Sequence, residues 1–302
     1  MQISVIIPTY NRARILLPRA IQSVLNQTLE DFELIVVDDC SVDETESVVK
    51  SFNDPRITYF RRNQNGGIGA ARNDGIRLSS APYVTFLDSD DEYLPGYLSH
   101  AVACISQSDN TVGICWGSYN IRDDKTGIET TVLWNPKKPY GYTDFLKSIK
   151  IGTSAGVTIK RDCFKTVMFD ESLRVAEDTD FFLRLVQNYT FTTFEGSFLI
   201  FHHHEQARLR DNVAEHAEAY GIILKKNEQA ILSSPELIEK WVYKVMWLNY
   251  HAGKIEEGNA YFKTLLQNRV AGAKSWVVLV LFNTLPQSWA RKMHRSINRQ
   301  LN

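Results

Sequence analysis

The densest chemistry in the chain lies in Asp88-Ser89-Asp90-Asp91, directly after the apolar run at 83–87. Three carboxylates in four residues repel one another unless a positive charge sits among them. A hard divalent cation is the natural guest. Magnesium or manganese takes oxygen ligands, keeps several waters, and is often held by one or two carboxylates plus substrate phosphates. The competing reading is a solvated acidic turn that caps a helix starting near Pro95. Upstream, Thr9 and Asp39 each end an apolar run, and a hydroxyl beside a carboxylate suits the polar edge of a nucleobase. Between them and the acids lies Asn65-Gly66-Gly67-Ile68-Gly69-Ala70-Ala71-Arg72-Asn73, a glycine-rich loop opening a helix. Backbone N–H groups at a helix start favour anions, and Arg72 adds a charge suited to phosphate. The glycines follow the third apolar run rather than the first and lack dinucleotide-fingerprint spacing, so a structural turn explains them equally well.

These chemical residues need elements to bring them together. Residues 4–7, 32–37, 57–60 and 83–87 read as strands, and 15–25, 45–52 and 69–78 as helices. Such alternation predicts a parallel sheet covered on both faces. Ligands bind such sheets at the carboxyl ends of strands. Thr9, Asp38-Asp39 and Asp88–Asp91 are therefore expected on one edge. Farther along, 98–105 reads as helix, 112–119 and 155–159 as strands, and 178–187 as an amphipathic helix. Residues 191–194 and 198–201 are expected to pair as a hairpin around Glu195-Gly196-Ser197. From 206 onward the pattern is helical, with 238–251 and 256–266 as a helix–turn–helix pair about Gly253.

Four motifs in order carry a family resemblance: Ser4-Val5-Ile6-Ile7-Pro8-Thr9-Tyr10-Asn11-Arg12, Leu34-Ile35-Val36-Val37-Asp38-Asp39-Cys40-Ser41, Asn73-Asp74-Gly75-Ile76 and Phe86-Leu87-Asp88-Ser89-Asp90-Asp91. They resemble family 2 glycosyltransferases of the GT-A fold over residues 1–205. The resemblance implies an inverting transferase whose nucleotide-sugar donor has its diphosphate held by Mn2+ or Mg2+. It places Thr9 and Asp39 at the base, Arg72 toward the phosphates, Asp88 toward the ribose, and Asp90 at the metal with Asp91 the neighbouring candidate. Ala176-Glu177-Asp178-Thr179-Asp180 is similar to the family's Glu-Asp pair at a helix start, which makes Asp178 the implied catalytic base. Inversion asks for such a group, because a carboxylate must take the acceptor's proton on the face opposite the leaving diphosphate. A helix N-terminus favours the anion, so position must supply what basicity lacks. The plain alternative is that Glu177 and Asp178 cap their helix. Of His202-His203-His204, neighbours in a strand point to opposite faces. Alignment with the family lays His204 on a histidine and puts His202 where an arginine is usual. His204 is thus a candidate for the metal or diphosphate, with Arg208 as support and a core histidine as the alternative.

Composition sets the outer bounds. With 302 residues, 44% hydrophobic, the chain can bury a sizeable core unaided. The fold expected is α/β of GT-A type, with residues 1–205 as the transferase domain and 206–302 as a helical region. Cys40, Cys104, Cys115 and Cys163 show no ligand-like spacing, and no signal peptide is evident at the start, so a cytoplasmic location is expected. The net charge of −1 is uneven: seven bases and no acid follow Glu257, leaving 27 bases against 35 acids, −8, on residues 1–257. The run at 276–282 is shorter than the roughly 20 residues a bilayer span needs. Trp276, Trp289 and the bases beyond suit a segment lying on an anionic membrane face, with a buried helix as the alternative. No nucleic-acid module surrounds these bases. The partners expected are a nucleotide-sugar donor, with uridine as the foremost base, and a saccharide or lipid-linked saccharide acceptor. Two other classes stay open at this stage. A nucleotidyltransferase would carry a glycine loop after the first strand, where Pro8-Thr9-Tyr10-Asn11 stands. A non-catalytic nucleotide-sugar binding module would lack the acids at 90, 91 and 178.

Overall fold

Apolar strands need cover on both faces, and the first four are built for it. The computed structural model describes residues 1–134, 141–148, 153–203 and 212–300. Strand β1 (Ile3–Thr9) has every residue buried, as does most of β2 (Phe32–Asp38), which is the pattern of parallel strands sandwiched between helices. They lie beside β3 (Ile57–Arg61) and β4 (Tyr83–Phe86) in the parallel order β3-β2-β1-β4. Thr9 pairs with Asp38 in this register, so the first two strands end together. Helix α1 (Leu16–Leu25) turns Leu16, Leu17, Ala20, Ile21 and Val24 inward, the spacing of one helical face. Helix α2 (Thr45–Ser51) joins β2 to β3, and α3 (Ile68–Leu78) joins β3 to β4. A Cβ on Gly75 would stand 2.4 Å from the Ile6 side chain, so glycine lets α3 lie close against β1.

Beyond β4 the sheet changes character. A short β5 (Glu92–Tyr93) and α4 (Tyr97–Ser106) precede the long β6 (Val112–Asp123) and β7 (Glu129–Val132). After α5 (Tyr142–Lys147) come β8 (Val157–Lys160), a 3-10 turn at Arg161–Lys165, α6 (Glu177–Leu185) and β9 (Thr190–His203). The order continues β4-β8-β6-β9-β5, with β8 antiparallel to both neighbours and β6 parallel to β9. The α/β sheet flanked by helices is thus present, extended by an antiparallel flank.

The hairpin expected at 191–201 is not formed. Residues 190–203 are one strand along β6, with register shifts flanking the Ser118–Ser197 pair. Gly196, at φ 97°, absorbs the extra residues as a bulge. A glycine between apolar runs signals a bulge as readily as a turn, and the uninterrupted edge of β6 decides for the bulge.

The chain divides into two compact units, Met1–Phe145 with Lys150–Gln206, and Leu146–Ile149 with Ala207–Asn302. The second unit holds α7 (Val213–Lys226), α8 (Glu228–Leu232), α9 (Pro235–Ala252), α10 (Ile255–Gln267), α11 (Ala273–Thr284) and α12 (Gln287–Gln300). Helix α9 starts on Pro235 and stops at Gly253, which takes the left-handed φ of 86° that a helix C-terminus favours. In α11, Val278, Leu281 and Phe282 are buried while Trp276, Val277 and Val280 are exposed. Among the described residues no helix is long and apolar enough to cross a membrane.

Candidate active site

The carboxyl ends of β1, β2 and β4 meet on one edge, and the loops after β1 and β2 are stitched together there. Asn11 N–H donates to the Ser41 hydroxyl, Val42 N–H to the Asn11 side chain, and Ala13 N–H to Asp43. Asn11 and Cys40 adopt left-handed φ values of 52° and 68°, costly for residues other than glycine.

Thr9 is buried, and its hydroxyl has no hydrogen-bond partner among the described residues. Asp39, beside it, is saturated on one side. Its Oδ1 accepts from Arg62 Nη1 at 2.5 Å and Gly66 N at 2.8 Å, and its Oδ2 from Gly67 N at 2.8 Å. The anion seated on the glycine-loop amides is therefore the carboxylate of Asp39 itself. Arg62 is held in turn by Asp74.

Arg72 lies one turn into α3, only 1% exposed, and points inward. Its guanidinium donates to Asp88 Oδ1 at 2.9 Å, Glu177 Oε1 at 2.9 Å and Asp178 Oδ1 at 3.0 Å. The expectation had this cation facing phosphates; its contacts run to carboxylates. A buried charge needs such partners. Ser154 Oγ also donates to Asp178, and Thr153 Oγ1 reaches Asp88 Oδ2 at 3.3 Å. Both residues precede β8 and belong to no motif. Asp178 sits in the first turn of α6, entered through Ala176 at φ 57°, with no side-chain cap on the helix. The capping alternative for Asp178 thus finds no support in its contacts.

Asp88 opens a turn closed by Asp91 N–H to its own carbonyl at 3.1 Å. That turn gathers one oxygen each from Asp88, Asp90 and Asp91 within 4.8 Å of one another. Octahedral magnesium with bonds of about 2.1 Å separates opposite ligands by roughly 4.2 Å, so a slight side-chain adjustment brings all three to one ion. The donor set is all oxygen, which fits a hard cation. His202, which stands where the family usually has an arginine, is buried: its N–H donates to Asp91 Oδ1 at 2.9 Å, while its ring lies 2.5 Å from Asp124 and 3.0 Å from Glu92. His203 is exposed, with its ring 3.9 Å from Asp123. His204 and Arg208 fall outside the described residues.

Parallel strands carrying carboxylates at their ends, an acid turn after β4 and an acidic helix start at α6 define an α/β protein of the GT-A class. The fold is that of Staphylococcus aureus TarS 1–349 in complex with UDP-GlcNAc, with a TM-score of 0.63 over 97% of this chain and 88% of that one at 19% identity. A sequence profile described as glycosyl transferase family 2 matches residues 4–167. A putative colanic acid biosynthesis glycosyl transferase of Escherichia coli, WcaA, is 36% identical over 189 residues, covering 62% of this chain and 67% of WcaA. The GalNAc(5)-diNAcBac-PP-undecaprenol beta-1,3-glucosyltransferase of Campylobacter jejuni is 48% identical over 101 residues, about a third of each chain, 32%. The chain belongs to glycosyl transferase family 2.

Glu177 carries a pH signature. Burial, with Asp178 alongside, pushes its carboxyl up to about 7 from 4.5 against the pull of Arg72. A raised folded-state value means that protonation favours the fold. The contribution is complete below the unfolded value and is lost as pH rises through about 7. Glu177→Gln keeps the shape and cannot ionise, so it should flatten the fall in Tm between about pH 5 and pH 8. Thermal melts across that range test this, and parallel curves for the two proteins would remove the proton from Glu177.

Proposed function

We propose that this chain is an inverting, metal-dependent glycosyltransferase that moves a sugar from a UDP-sugar to a saccharide hydroxyl. In this reading the acceptor is lipid-linked and the product belongs to a bacterial surface polysaccharide or glycolipid. The observation that carries it is the pairing of Asp178 and the acid turn through one buried guanidinium. That arrangement supplies a proton acceptor and a seat for a divalent cation within one site. TarS, whose fold the chain shares, holds UDP-GlcNAc, and the names of the two relatives speak for colanic acid and for an undecaprenol-linked glycan.

Each residue then has a task. Thr9 offers its hydroxyl to the base, and Asp39, with three hydrogen bonds already made, keeps an acceptor position on Oδ2 for a base N–H. Asp88 faces the ribose, and Asp90 and Asp91 hold Mn2+ or Mg2+, with His204 a further candidate ligand. When bound, the cation stabilises charge on the departing diphosphate. Asp178 takes the acceptor's proton as the hydroxyl oxygen attacks the anomeric carbon from the face opposite the diphosphate, which inverts that centre. Arg72 keeps Asp178 and Asp88 at fixed separation.

The basic tail fits the same reading. Trp276, Val277, Val280, Trp289 and Met293 expose apolar surface, with Lys274, Arg291 and Lys292 among them. Helix α11 is apolar on most sides and α12 is amphipathic and basic; basic amphipathic helices lie in anionic interfaces, where the enzyme would meet a lipid-linked acceptor from the cytoplasmic side.

Asp178→Asn should keep UDP-sugar affinity while transfer falls by roughly 100- to 10,000-fold, the range for a lost general base; undiminished turnover removes Asp178 from the mechanism. Asp90→Ala should lose the manganese-dependent part of UDP-sugar binding in calorimetry, and an unaltered isotherm would refute the metal assignment. Replacing Trp276 and Trp289 together with Ser should lower cosedimentation with phosphatidylglycerol vesicles several-fold. Equal pelleting of variant and wild type would leave the tail without a membrane role.

A further inference from the structure

The acid turn is braced from behind by a residue that no motif marks. Arg19, in the first turn of α1, donates from Nη2 to the backbone carbonyl of Asp90 at 2.5 Å. Its Nη1 lies 3.6 Å from Asp124 Oδ2. Asp124 Oδ1 in turn meets His202 Nδ1 at 2.5 Å, and His202 returns to the turn twice, through its N–H on Asp91 and its Nε2 on Glu92. The circuit runs from α1 through the end of β6 and the end of β9 to β5, and closes on the two acids at 90 and 91. On the far side, the Tyr93 hydroxyl donates to the Phe86 carbonyl at 2.7 Å and Tyr93 N–H to Ser23 Oγ at 3.1 Å, so the strands entering and leaving the turn are already anchored. Arg19 holds the crest of the turn, at the Asp90 carbonyl.

A cation at that carbonyl does two things. It offsets the mutual repulsion of three carboxylates packed within 4.8 Å. It also does so through the main chain, so the bond from Arg19 takes up no carboxylate oxygen of Asp90. Arg72 differs, because it binds the side chain of Asp88 directly.

We propose that Arg19 is the positioning residue of the metal seat, holding the Asp88–Asp91 turn in its ion-binding form through the Asp90 carbonyl, with Asp124 and His202 orienting it. The proposal rests on the reading that this turn binds a divalent cation. Groups that orient ligands without touching the ion are worth about 10- to 100-fold in metal affinity.

The test is Mn2+ binding to the full chain in the presence of UDP, followed by electron paramagnetic resonance of free Mn2+, with UDP affinity measured separately in EDTA. Arg19→Met should weaken Mn2+ binding by about 10- to 100-fold and Arg19→Lys by less, while metal-free UDP affinity stays at the wild-type value. A merely structural role would lower both together. Asp124→Asn, which leaves Arg19 in place but loosens it, should shift Mn2+ affinity in the same direction and keeps the test open if the Met variant misfolds. Wild-type Mn2+ affinity in folded Arg19→Met, or in Asp124→Asn where the Met variant does not fold, overturns the brace alone. Failure of the wild-type protein to bind Mn2+ with UDP overturns the metal reading and the brace with it.

Discussion

One buried guanidinium governs the spacing of the site. Arg72 joins Asp88, at the end of β4, to Glu177 and Asp178, which follow it by 105 and 106 residues. Burying a charge is costly unless its hydrogen bonds are met, and here three acids meet them. The converse also holds, since those acids would repel one another without the cation. The helix start at 177 and the strand end at 86 are thus joined by charge as well as by apolar contact, since Phe86 packs edge-on against Phe164 and Phe169, and both stack on Phe181 of α6. Protonation of Glu177 near neutrality eases the remaining excess of negative charge and leaves Asp178 oriented by Arg72 and Ser154.

The loops around this pair are held in conformations they would not choose. Asn11, Cys40 and Ala176 each have positive φ, and each stands within two residues of a side chain assigned to the site. Such positions cost about 1–3 kcal/mol apiece and persist only where surroundings over-determine them. The hydrogen bonds among Asn11, Ser41 and Val42 supply that constraint for the first two. The third follows from seating Glu177 and Asp178 on Arg72.

Much of this was legible in the chain. Strands β1, β2 and β4 announce themselves because parallel strands buried on both faces are almost purely apolar, and the polar residues that stop them are the site. The acid turn is visible as three carboxylates in four residues, although the cluster by itself also suited a solvated turn, and the neighbouring motifs were needed to favour an ion. The antiparallel flank was not legible: β8 is only four residues long, and its register against β4 and β6 is set by partners tens of residues away. Gly196 was misread as a turn because only the neighbouring strand distinguishes turn from bulge. Ser154, Thr153 and Arg19 gave no signal at all, being single polar residues whose partners are remote in sequence. The direction of Arg72 was hidden for a related reason. A glycine loop at a helix start suggests phosphate, and nothing local says that the loop amides are already taken by Asp39.

That last contact ties recognition to architecture. If Asp39 reads the base, the same carboxylate is also the plug that closes the glycine loop, gripping Gly66, Gly67 and Arg62 at once. Evolution cannot retune nucleotide preference at this position without reshaping the entrance to α3 and, one turn on, the setting of Arg72.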